Sequence, residues 1–177
     1  MKTQKPTIDI VSKIFCVATK KVIETATKTS IVCIPTIQKI PKVSIRPSIG
    51  CFVQFNGDYN GLTVMNFSDR AAMDIYKKYM MAMGIPENEL VSSYTSGEVP
   101  DSIGELTNQI MGQGLSMVED KFMLSSFCGQ PKALALNSAI TLTIDSSYIN
   151  NRRMAFTIDG NKFYLELSME STEFISL

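Results

Sequence analysis

Three segments of the chain repeat apolar residues at intervals of three and four, which places them on one face of an α-helix. The segments cover residues 7–29, 69–83 and 100–122, and the third can extend to residue 124. Asp9 is a candidate cap for the first helix, and Ser68 or Asp69 is one for the second. Gly84 suits a left-handed position after the second helix, and Pro86 prevents its continuation. The pattern therefore predicts three long helices.

Five other segments are rich in β-branched and aromatic residues or alternate between apolar and polar positions, and we expect them to form one sheet. These segments are residues 43–56, 62–67, 140–144, 154–158 and 162–168. Residues 56–61 supply glycines and asparagines that accept positive φ, and residues 159–161 read Asp-Gly-Asn, so each predicts a hairpin turn. Pro47 and Gly50 predict a bend before the first strand.

Residues 30–40 are also extended in character. Pro35 and Pro41 restrict this segment to an edge strand or a connector, because proline cannot donate to a strand ladder. Helices set against an antiparallel-rich sheet form an α+β layer architecture, here with an extra N-terminal helix.

The third predicted helix presents a polar face opposite its apolar one. Glu105 and Asn108 are three residues apart on that face and are therefore neighbours pointing away from the core. Ile103, Leu106, Ile110, Met117 and Val118 gather on the apolar side, and Asp101, Glu105, Asn108, Gly112 and Ser116 on the polar side.

Two interpretations of Glu105 remain open. Ser102 and Glu105 fit a capping box, in which Glu105 would bond back to the amide of Ser102. If the helix instead begins at Pro100, a favoured first helical residue, Glu105 lies one turn inside and is free. Asn108 is a poor residue for a helix interior unless its side chain has a task or faces water.

Gly104, Gly112 and Gly114 lie in or beside the same helix. Each costs about 1 kcal/mol relative to alanine, so their presence predicts a close approach of another surface. That surface is either a neighbouring helix of the same chain or a partner protein.

Composition narrows the classes of function. The 177 residues contain no histidine, which excludes a serine–histidine or cysteine–histidine nucleophile, and no Walker lysine loop or dinucleotide fingerprint is present. No apolar run is long enough to cross a bilayer. Cys16, Cys33, Cys51 and Cys128 are widely spaced, which predicts free thiols in a reducing cytoplasm and no zinc site.

The net charge of zero hides an asymmetry. Residues 1–50 contain nine Lys/Arg and two Asp/Glu, and the rest of the chain contains eight and fifteen. The basic residues of the first segment are scattered among apolar ones without aromatic neighbours, so we expect no nucleic-acid binding. We interpret the asymmetry as electrostatic attraction between the two parts of the chain or as a solvated basic face.

The motif Glu105-x-x-Asn108 followed by Gly112, on a helix opened by Asp-Ser, resembles the signature helix of the CheC/CheX chemotaxis phosphatases. Residues 55–68 (Phe-Asn-Gly-Asp-Tyr-Asn-Gly-Leu-Thr-Val-Met-Asn-Phe-Ser) are similar to the hairpin of that family. The resemblance covers residues 43–177, which predicts a CheX-like domain there, and leaves residues 1–42 as an accessory helix and connector. The single copy of the motif resembles the CheX branch, whose members pair as homodimers.

The resemblance implies that the protein hydrolyses the aspartyl-phosphate of a CheY-like response regulator. Asn108 would orient the attacking water and Glu105 would engage a lysine of the regulator, with Asp101, Gln109 and Gly112 in the contact surface. Mg²⁺ would belong to the regulator, and the chain would need no cofactor of its own. The alternative is a non-catalytic CheX-like module that docks a receiver domain or a flagellar or signalling component.

One observation opposes this assignment. Glu98, Asp101 and Glu105 place negative charge at the start of the signature helix, and receiver-domain active sites are themselves acidic.

Overall fold

The computed structural model describes residues 6–141, 149–171, 173 and 175. Three helices cover one face of an antiparallel sheet: α1 (Thr7–Thr27), α2 (Asp69–Ala82) and α3 (Glu98–Phe122), with a 3-10 turn at Glu87–Glu89. The strands are β1 (Ile31–Cys33), β2 (Gln38–Lys39), β3 (Ser44–Ile45), β4 (Ile49–Gly57), β5 (Gly61–Phe67), β6 (Ser126–Cys128), β7 (Lys132–Ala135), β8 (Ile140–Thr141), β9 (Ile149–Ile158) and β10 (Asn161–Glu170). This arrangement is the predicted α+β class. Within the described ranges no helix combines the length and the apolar character needed to span a bilayer.

The main sheet has the order β1-β9-β10-β5-β4-β6, with β2 also on β9 and β7 also on β4. Both predicted hairpins are present, since β4 pairs with β5 and β9 with β10. Asp159 (φ 47°) and Gly160 (φ 80°) form the two-residue turn of the second hairpin. Asp-Gly favours this turn because both positions need positive φ. The extended segment after α1 forms two edge strands on β9, as its prolines predicted.

The prediction that residues 43–56 and 140–144 belong to the main sheet is confirmed for residues 49–56, which lie in β4, but was wrong for Ser44–Ile45 and Ile140–Thr141. Ser44–Ile45 and Ile140–Thr141 pair with each other in a separate two-stranded sheet, and residues 142–144 lie outside the described ranges. This small sheet packs on the face opposite the helices, where Val43, Ile45, Leu62 and Val64 form a second apolar cluster. The bend predicted before the strand lies at Pro47 and Ser48 and separates β3 from β4, whereas Gly50 lies inside β4.

The short strands β6 and β7 were not predicted. β7 reads Lys-Ala-Leu-Ala, a composition that favours helices, and β6 has three residues. Both are held by backbone pairing to β4, which no local pattern specifies. They form one edge of the sheet beside α3.

The core lies between the three helices and the sheet. α1 contributes Val11, Phe15 and Ala18, which are fully buried, and Phe15 stacks on Phe55 of β4 at 6.4 Å between ring centroids. The described part of residues 1–42 therefore shares its core with residues 43–177. Asp9 does not cap α1 as predicted; its carboxylate accepts a hydrogen bond from Arg152 at 2.5 Å. Ser68 caps α2 as predicted, accepting from the amide of Ala71.

The cysteine prediction was wrong for one pair. Cys16 of α1 and Cys33 of β1 form a disulfide, although 17 positions separate them in sequence. Cys51 is buried and Cys128 half-buried, and both are free thiols. Burial raises the pKa of Cys51 to about 11, an effect larger than the opposing hydrogen bond with Thr107.

We expect one thiol of the native, unreduced protein to react with a thiol reagent at pH 8. Cys128 supplies that thiol, because burial shields Cys51 and keeps it protonated. Denaturation without a reductant should release a second thiol, and denaturation after reduction all four. Four thiols in denatured, unreduced protein would contradict the disulfide.

Candidate functional site

The outward face of α3 carries the residues singled out from the sequence. Ile103, Leu106, Ile110 and Val118 are buried, whereas Asp101, Glu105, Asn108, Gln109 and Gly112 are exposed. The 3.6-residue period alone accounts for this division, because the apolar stripe turns toward the sheet and the polar one toward solvent. The expectation that Glu105 and Asn108 are exposed on one helix face is confirmed.

The start of α3 decides between the two interpretations of Glu105. The helix begins at Glu98, and Ser102 lies inside it, donating its hydroxyl to the carbonyl of Glu98 at 2.8 Å. Ser102 is therefore not the N-cap, and the capping box does not form. Pro100 is the third helical residue and not the first, a position still within the turn whose N–H groups have no helical partner.

The two polar side chains of the pair differ in their local contacts. Glu105 Oε1 accepts a hydrogen bond at 3.1 Å from Gln109 Nε2, one turn further along the exposed face. The side chain of Asn108 makes no hydrogen bond within the described part of the chain. Its carbonyl and its NH₂ group therefore both remain available to a water or a partner.

Asn108 and Glu105 border a cleft of about 370 Å³. One wall is α3, with Pro100, Asp101 and Gly104, and the other is the segment from Gln130 to Leu134, which includes the start of β7. A Cβ placed on Gly104 would lie 3.7 Å from the Cβ of Ala133, so these two small residues bring the walls together at the base. The second wall was missed from the sequence, because β7 has no recognisable strand pattern.

The three glycines of α3 serve different ends. A Cβ on Gly114 would lie 2.9 Å from the ring of Phe15, so Gly114 allows α1 to pack closely on α3. Gly112 has open space around its Cβ position, one turn beyond Asn108. Helix packing thus explains Gly114. Gly112, which has no side chain, leaves room for another molecule to approach the helix beside the polar pair.

One of the three carboxylates at the start of α3 has a hydrogen-bond donor within the chain. The Tyr76 hydroxyl of α2 donates to Glu98 Oε2 at 2.8 Å, so Glu98 is turned toward α2. Asp101 and Glu105 remain as exposed carboxylates bordering the cleft. Among the described residues, no group of three or more Cys, Asp or Glu side chains is arranged to hold a metal ion.

A family model described as "Protein of unknown function (DUF3334)" matches residues 2–177. No curated protein matches the sequence.

Solved structures match almost the whole chain. The chemotaxis protein CheX of Desulfovibrio desulfuricans aligns with a TM-score of 0.75 at 17% identity, covering 90% of this chain and 99% of that one. CheX of Vibrio vulnificus aligns with a TM-score of 0.74 at 15% identity, covering 90% and 99%. CheX of Borrelia burgdorferi, solved with CheY, BeF₃ and Mg²⁺, aligns with a TM-score of 0.65 at 12% identity, covering 90% and 97%. At these identities the likeness is one of fold, and the chain has the CheC/CheX-like fold that its motif predicted.

Proposed function

The chain belongs to the DUF3334 family, and we propose that it is a phosphatase acting on the aspartyl-phosphate of a CheY-like response regulator. The observation that carries the proposal is the exposed Glu105–Asn108 pair, held on a rigid helix beside an open cleft. The fold shared with CheX proteins, one of them solved with CheY, supports the choice of partner.

We assign to Asn108 the role of orienting the attacking water. An amide has no useful pKa and cannot act as a general base, but it can accept from and donate to one water molecule and so orient it. The water oxygen attacks phosphorus, and the bond from phosphorus to the aspartyl oxygen breaks. The products are the aspartate carboxylate and inorganic phosphate, which retains the protons of the water. Positioning of this kind is the main protein contribution to phosphoryl transfer.

We assign to Glu105 the role of binding the partner protein. Its carboxylate is exposed and can form a charge-assisted hydrogen bond with a lysine of the regulator beside the phosphate. Gln109 would hold the carboxylate in place through its 3.1 Å hydrogen bond, and Asp101 and Gly112 would border the contact. In this scheme Mg²⁺ would be bound by the regulator, where it would offset the negative charge of the phosphoryl oxygens.

The experiment that tests the proposal follows phosphate loss from a phosphorylated CheY-like receiver domain. Adding the purified protein should accelerate the loss well above the receiver's own rate. Binding to the phosphorylated receiver without acceleration would contradict the phosphatase assignment and select a non-catalytic docking module.

We infer a cytoplasmic location, because the proposed partner, a CheY-like receiver domain, acts there. The argument from free thiols no longer supports this location, since Cys16 and Cys33 are bonded.

We expect a homodimer. The strands β1 and β6 end the main sheet at its two sides, and unpaired strand edges are common sites of self-association. Light scattering at micromolar concentration should give twice the chain mass of 19.6 kDa. A monomer mass under these conditions would count against the dimer.

A further inference from the structure

The outward face of α1 carries a group of lysines for which the proposed reaction has no role. We define the α1 basic patch by the residues that line one shallow depression of about 520 Å³. They are Val17, Lys20, Lys21, Glu24, Thr25 and Lys28. Lys20 lies 3.8 Å from the Glu24 carboxylate, which also accepts from the amide of Ile31 at 2.9 Å. Lys21 and Lys28 form no ion pair within the described ranges, and both are exposed.

The direction of α1 follows from its contacts with β9. Asp9 bonds to Arg152 near the beginning of that strand. Ile31, which follows the helix, pairs with Ile158, the last residue of β9. α1 therefore runs in the direction of β9.

α3 runs the opposite way. Its beginning contacts β7 at Ala133, which pairs with Cys51 of β4, and the chain just after its end pairs with Gly57 of β4. Thus α3 follows the direction of β4. Three antiparallel pairings separate β9 from β4, so the two strands are antiparallel, and α1 and α3 are antiparallel too.

The close approach of Phe15 to Gly114 sets the register of the two helices. Six residues beyond Phe15 is Lys21, and six residues before Gly114 is Asn108. At 1.5 Å per residue both lie about 9 Å from the contact along the helix axis, on the same side of it. The basic patch and the Glu105–Asn108 face thus lie at the same level along the helix layer, in which α2 contacts both α1 and α3.

A globular partner seated on Asn108 is wide enough to reach α1. A standard interface buries about 800 Å² on each partner, which corresponds to a patch about 30 Å across. Packed helices lie only about 8–10 Å apart. We propose that the α1 basic patch is a second contact surface for the same acidic receiver domain, with Lys21 and Lys28 forming ion pairs to its carboxylates.

The inference rests on the proposed function for the identity of the partner and explains a feature that the reaction leaves open. Asp101 and Glu105 would repel an acidic receiver, and the neighbouring lysines supply the compensating positive charge. Complementary charge of this kind raises the association rate of two proteins and fixes their orientation.

A protein fits the patch better than a lipid surface does. Helices that bind membranes turn a large apolar face toward the bilayer. The apolar face of α1 is buried in the core, and within the patch Val17 is the one apolar side chain.

The test measures binding of a CheY-like receiver domain loaded with Mg²⁺ and beryllofluoride. The double variant Lys21→Glu/Lys28→Glu should associate about 10-fold or more slowly than wild type at low ionic strength. The difference should shrink as salt is added. The matched control is Lys42→Glu/Lys162→Glu, which makes the same change in net charge at exposed sites outside the helix layer. The maximal rate of phosphate release at saturating receiver should be unchanged in both variants, because neither touches the Asn108 water.

Each outcome decides the question. Equal association rates for the two double variants would overturn the inference, and so would a wild-type protein that binds no receiver. Wild-type binding without phosphate release would remove the proposed function, while the comparison of variants still judges the patch. Retention of wild type, but not of Lys21→Glu/Lys28→Glu, on phosphatidylserine–phosphatidylcholine vesicles, with unchanged receiver binding, would assign the patch to lipid.

Discussion

Replacing Asn108 with alanine should lower the acceleration of phosphate loss by about 100-fold or more, because misplacing a reacting group by about 1 Å already costs this much. The affinity for the phosphorylated receiver and the thermal stability should stay close to wild type. Asn108 is exposed and makes no hydrogen bond within the described residues, so its truncation removes no contact of the folded chain. Single-turnover phosphate release and melting temperature, measured on the same preparation, check both statements.

Ser116→Ala is the matched control for this prediction. Ser116 lies on the same exposed face of α3, two turns beyond Asn108, and its loss should change neither quantity. Full phosphatase activity of Asn108→Ala would remove the water-orienting role and with it the mechanism.

Replacing Glu105 with alanine should weaken the complex with the receiver by about 1.5–3 kcal/mol, the range for a hydrogen bond to a charged group. That corresponds to an increase in Kd of about 12- to 150-fold. The variant should lose little stability, since its one local contact is an exposed pair with Gln109, worth a few tenths of a kcal/mol. Titration calorimetry with the beryllofluoride-loaded receiver measures the first effect and thermal unfolding the second.

Asp120→Ala removes an exposed carboxylate from the far end of the same helix and controls for net charge. A capping role would instead lower the stability of Glu105→Ala by about 1 kcal/mol and leave binding unchanged. The position of Ser102 inside α3 argues against that outcome.

Asn108→Ala and Glu105→Ala together separate catalysis from docking. A phosphatase loses turnover with Asn108→Ala and affinity with Glu105→Ala. A docking module would show the second effect without any turnover to lose. The pair therefore distinguishes the two functions that the motif left open.

What the sequence determined by itself was local. The 3.6-residue period of α3 placed Glu105 and Asn108 on the exposed face, because the direction of a helical side chain depends only on its position along the helix. Asp159-Gly160 specified its hairpin, since few residue pairs accept positive φ at both positions. The α+β class followed from the succession of such segments, and the motif was enough to indicate the CheC/CheX-like fold.

The tertiary structure alone decided which segments meet. β7 borders the cleft because it pairs with β4, although its own residues favour a helix. Ile140–Thr141 pairs with Ser44–Ile45 in a separate sheet, and Cys16 is bonded to Cys33. These contacts also join segments that no local pattern links. The contact of Phe15 with Gly114 brought the basic residues of α1 to the same level as Asn108 along the helix layer. Pairings between segments distant in sequence depend on topology and packing, which residue periodicity does not encode.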